Sequence, residues 1–74
     1  MTTLATQAVP AMTLRMGERF LVEPSEGMPF VATLLCHHGW GLVHGQILLE
    51  CVGGDQEPFT YEIHHQALVK VVTS

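Results

Sequence analysis

Basic side chains are nearly missing from this sequence. Arg15, Arg19 and Lys70 are the whole supply in 74 residues, against seven Asp and Glu, and the net charge is −4. Binding to a phosphate backbone needs cations that displace its counterions, so this balance argues against nucleic acid as a partner. Charge of either sign is scarce: 14% of the residues are charged, where about 25% is usual. Cysteine is limited to Cys36 and Cys51, with no CxxC pair, so the repeated spacing of a structural zinc site is lacking. No run approaches the ~20 apolar residues of a membrane helix. Residues 1–12 show neither the basic start nor the continuous apolar run of an export signal. Together these predict a cytoplasmic protein with reduced thiols and no membrane partner. Gly-rich phosphate loops, nucleophile motifs and carboxylates paired at helical spacing are also absent. No catalytic residue is assigned on that ground, and no cofactor is expected.

Apolar side chains make up 47% of the chain. A domain of this size buries only ~60% of the surface its unfolded form exposes, and with so few charges apolar groups must line part of the outside. Disulfides, a metal or association with another chain are the usual remedies. Self-association is the simplest here, with another protein as a further partner.

Period-two alternation dominates from residue 19 onward. RFLVE at 19–23 places Phe20 and Val22 on one face, and FVATLLCH at 30–37 places Phe30, Ala32, Leu34 and Cys36 together. HGWG at 38–41 reads as a hairpin reversal. LVHGQILLECV at 42–52 then directs Val43, Gly45, Ile47, Leu49 and Cys51 inward. GGDQEP at 53–58 is a strong turn signal, after which FTYEIH puts Phe59, Tyr61 and Ile63 inward. HHQA at 64–67 has room for one helical turn, and LVKVV at 68–72 is a last strand. Residues 1–12 carry no sustained period and read as a mobile, disordered tail, leaving 13–74 as the domain. Five short strands, three reversals and a one-turn link before the last strand fit an all-β barrel.

The MGERF start, the hairpin around HGWG and the YEIHHQALVKV ending resemble an SH3-like small barrel over about residues 13–73. Among proteins of that fold, the short plasmid-borne dihydrofolate reductases share a similar length, a floppy tail and obligate self-assembly. Their active-site strand does not align onto YEIH at 61–64, and GQI at 45–47 lies at the wrong distance from both ends, so no catalytic residue is carried over.

Centring the first hairpin on 38–41 sets Gln46 opposite His64 and near Thr33, and His44 beside Leu35. Val31, Leu35, Leu42 and Leu48 then frame His44, Gln46 and His64 on one outer face, suited to a symmetric contact between copies. Trp40, between glycines, is either a lid on the barrel end or an anchor for a partner. Cys36, His37, His38, Cys51 and His65 are candidate metal ligands by type, but adjacent residues on a strand point to opposite faces and the cysteines suit the core. Three functions follow as expectations. The first is a homo-oligomeric interaction or regulatory module; the second, an enzyme or small-molecule binder with a His-lined site between subunits; the third, an acidic inhibitor of a basic protein encoded by a phage or mobile element.

Overall fold

A computed structural model describes residues 5–24, 26–41, 43–53 and 57–73. Its strands are β1 (Thr6–Pro10), β2 (Arg19–Val22), β3 (Phe30–Trp40), β4 (Gln46–Val52), β5 (Pro58–His64) and β6 (Leu68–Val72). They form one open antiparallel sheet in the order β1-β6-β2-β3-β4-β5. The all-β class agrees with the alternation in the sequence. The five-stranded closed barrel does not: the described residues form six strands, and β1 and β5 remain edges. Among the described residues no helix is long and apolar enough to cross a membrane.

The sixth strand lies where the sequence suggests a tail. β1 pairs with β6 from Thr6 opposite Val72 to Pro10 opposite Leu68, yet only Val9 is even partly covered. An edge strand held by its backbone ladder buries almost nothing, and so leaves no hydrophobic period to read. Pro10, which has no N–H to donate, is tolerated at such an edge. The chain then makes a 3-10 turn, Ala11–Thr13. Ala11 and Met12 donate backbone N–H groups to the carbonyls of Ala67 (2.8 Å) and His65 (3.0 Å). That docking sends Ala11 and Leu14 into the core.

The core lies on one face of the sheet. Phe20, Val22, Ala32, Leu34, Ile47, Leu49, Cys51, Val69 and Val71 are buried there, with Phe59, Tyr61 and Ile63 packed against them. These phases agree with the alternation read in β2, β4 and β5; in β6, Val69 and Val71 supply the inward face. Strand β3 departs from it. Between Leu34 and Cys36, and again between His37 and Gly39, the pairing with β4 gains an extra residue. Each bulge reverses the direction of every side chain beyond it. Leu34 therefore lies opposite buried Cys51, while Cys36, expected inside, lies opposite Glu50 on the outer face.

The first hairpin also turns later than HGWG suggests. β3 continues through Trp40, which lies opposite Ile47, and the reversal is closed by Gly41 N–H to Gln46 O (2.7 Å) and Gln46 N–H to Val43 O (3.1 Å). The strand expected to begin at 42 begins at Gln46, and Val43, expected inward, is exposed. The helical turn expected at 64–67 is instead a hydrogen-bonded chain reversal, with Ala67 N–H donating to His64 O at 3.0 Å.

Candidate functional site

The outer face expected to gather leucines around His44, Gln46 and His64 is dispersed. Gln46 does lie opposite His64. Thr33, however, lies opposite Val52, six residues along β4 from Gln46, or about 20 Å at the rise of a strand. Leu35 is the extra residue of the first bulge, between the partners of Cys51 and Glu50, so it is not beside His44. Val31 lies opposite Leu21 and Leu48 opposite Glu62, well separated along the sheet. Leu42 falls outside the described residues. The cause is the later reversal plus two bulges, which together displace the assumed register of β3.

Two other clusters take its place. The first is at the end of the sheet where β3 turns into β4. Trp40 pairs with Ile47 and so faces the core side, but the core has ended there and Trp40 is 68% exposed. Its indole and the His65 ring stand nearly perpendicular, 5.4 Å between centroids, and His65 stacks on His64 at 4.6 Å. Trp40, Gly41, Val43, His44, Gly45 and His65 line a concavity of about 480 Å³, within the size range of ligand sites. His65 is anchored by its own N–H to Gly45 O at 3.0 Å, while its ring Nδ1 is buried with no partner. Leaving such an atom unpaired costs roughly 1–3 kcal/mol, so a donor or acceptor entering the concavity has something to satisfy.

Gly45 shapes this end. Its φ is +85°, and a Cβ there would lie 3.2 Å from His64 Nε2. Replacement by alanine combines left-handed backbone strain of about 1–2 kcal/mol with a crowded ring. The expected result for Gly45→Ala is a melting temperature lower by about 4–16 °C, read by circular dichroism. An unchanged melting temperature would show that this backbone conformation is not required.

The second cluster is on the outer face of β3 and β4. Cys36 Sγ lies 3.5 Å from His38 Nε2, which lies 2.8 Å from Glu50 Oε1. Cys36 and His38 alternate along one strand, and Glu50 is the cross-strand partner of Cys36. Sequence reasoning missed Glu50, because its place opposite Cys36 depends on the first bulge. The other candidate ligands lie elsewhere: His37 Nε2 bonds Leu14 O at 2.7 Å, Cys51 is fully buried, and His65 belongs to the concavity. A Cys–His–acid relay needs thiol and carboxylate on opposite ring nitrogens. Here both approach Nε2, so the arrangement is not that of a nucleophile and its orienting acid.

Comparison of the chain with family models, with curated proteins and with solved structures finds no match.

Proposed function

We propose that the protein is a non-catalytic interaction module that assembles with a second copy of itself through the Trp40 end of the sheet. The observation carrying this reading is a tryptophan 68% exposed beside Val43 at 55%, both on the wall of a concavity large enough to receive such a side chain. Exposed indole at a concave apolar surface is the usual form of a binding anchor. A surface that is both knob and socket is self-complementary, as a twofold contact requires. The small share of charged residues, 14%, supports association for the same reason. The SH3-like part of the reading rests on strand succession: β2 to β5 form a meander, and after a one-turn link β6 returns beside β2.

Native mass spectrometry and sedimentation test the assembly. The wild type is expected as a dimer or larger, and Trp40→Ala as a monomer, with the dissociation constant raised about 30-fold or more if Trp40 contributes at least ~2 kcal/mol. A wild-type chain that stays monomeric at high concentration, or a Trp40→Ala chain that assembles normally, removes the reading.

A further inference from the structure

Cys36, His38 and Glu50 carry no part of the contact proposed for Trp40. Their donor atoms, Sγ, Nε2 and Oε1, all lie within 4.8 Å of one another. The geometry points to a three-ligand site for a zinc-type divalent cation on the outer face of the β3–β4 hairpin, with the remaining coordination position open to solvent.

Three features carry this. The first is convergence. An imidazole Nε2 holds one proton at most, yet it faces both a carboxylate oxygen, which only accepts, and a sulfur. One proton serves two acceptors poorly, whereas a cation in its place engages all three lone pairs. The second is distance. Zinc lies about 2.3 Å from thiolate sulfur and about 2.0–2.1 Å from imidazole nitrogen. Ligands at those lengths subtending a near-tetrahedral angle stand about 3.5 Å apart; Sγ and Nε2 are already separated by 3.5 Å, while Nε2 and Oε1, at 2.8 Å, must open by about 0.5 Å to take the ion between them. The third is chemistry. Thiolate, imidazole and carboxylate form a mixed set suited to a borderline-soft ion, and the two anionic ligands balance its charge.

The backbone explains why the set forms. The bulge before Cys36 turns its thiol outward to face Glu50, and His38, two residues on, shares that face by alternation. Cys36 and Glu50 are paired in the β3–β4 ladder, and His38 is held between the paired residues His37 and Gly39, so the ligands stand on one hairpin. Without a metal, His38 and Glu50 form a surface pair with side chains 45% and 38% exposed, and such pairs contribute about 0–1 kcal/mol. The pair alone therefore gives little reason for the bulge that turns Cys36 outward.

Cobalt(II) tests the site, because thiolate ligation produces a charge-transfer absorption that histidine and carboxylate do not. The metal-free full-length chain is titrated with cobalt(II) in absorbance and with zinc(II) in calorimetry. One equivalent per chain is expected, with the thiolate band present. Cys36→Ser should abolish the band and weaken zinc about 100-fold or more, and Glu50→Gln should weaken it about 10- to 100-fold, taking the losses seen for metal-orienting partners as a lower guide. Circular dichroism confirms that each variant is folded. Cys51→Ala, which removes the buried thiol, should leave the band unchanged. No band in the wild type, or a band that survives Cys36→Ser, overturns the site. Neither result bears on whether copies assemble through Trp40.

Discussion

Replacing Phe20 by alanine is expected to leave the protein largely unfolded or close to it. The ring is fully buried, and the centroid of Tyr61 lies 6.3 Å away. Phe20 also lies opposite Ala32 of β3 and opposite Val71 of β6. That last pair joins β2 to β6, where the last strand returns beside the first core strand. Truncation of a buried phenylalanine costs about 3–5 kcal/mol through lost transfer energy and the cavity left behind. A 74-residue domain has only about 4–11 kcal/mol in total. The melting temperature should fall by about 15 °C or more, with a matching loss of the cooperative urea transition. A fall of less than about 5 °C would mean that β6 is held to β2 by something other than this ring.

Alkaline pH should destabilise the fold well before the backbone is affected. Cys51 is fully buried, and burial first, then the neighbouring Cys36 and Glu50 charges, push its thiol from 9.0 to about 11. Burial, followed by Cys51 and Glu23, raises the Tyr61 hydroxyl as well. In both, folding favours the neutral, protonated form. Above pH 9 the unfolded chain loses the Cys51 proton while the folded one retains it, so stability falls as pH rises. The contribution is complete below about pH 9 and gone above about pH 11, and two units amount to roughly 2–3 kcal/mol. Urea transitions at pH 7.5, 9 and 10.5 should therefore shift steadily lower for the wild type. They should shift much less for Cys51→Ala, whatever its starting stability. At pH 8, iodoacetamide should modify Cys36 and spare Cys51 until denaturant is added. Equal stability at pH 7.5 and 10.5, or equal labelling of both thiols, would contradict the burial of Cys51.

The strands that bury one face were legible. Phe20 and Val22, Ile47, Leu49 and Cys51, Phe59, Tyr61 and Ile63, and Val69 and Val71 alternate in sequence and share the core side in space. The sheet confines them to one side, and period two is the direct record of that confinement. β1 was not legible because the ladder holds it and its side chains stay mostly in water. The Trp40 concavity was half legible. An aromatic between glycines marks an end of the sheet, but His65 joins it only because the link between β5 and β6 returns against Gly45.

Alternation determined that the chain is all-β and which residues of β2, β4 and β5 face inward, and with the turn at 53–58 it determined that Gln46 meets His64. Only the tertiary structure decided the reversal beyond Trp40, the sixth strand, and the bulges of β3, the first of which brings Cys36 and His38 to the face of Glu50. The physical reason is that a bulge adds one residue to one strand. It leaves local composition untouched and inverts every side chain that follows, so its effect is written in the pairing with a distant strand and not in the residues that form it.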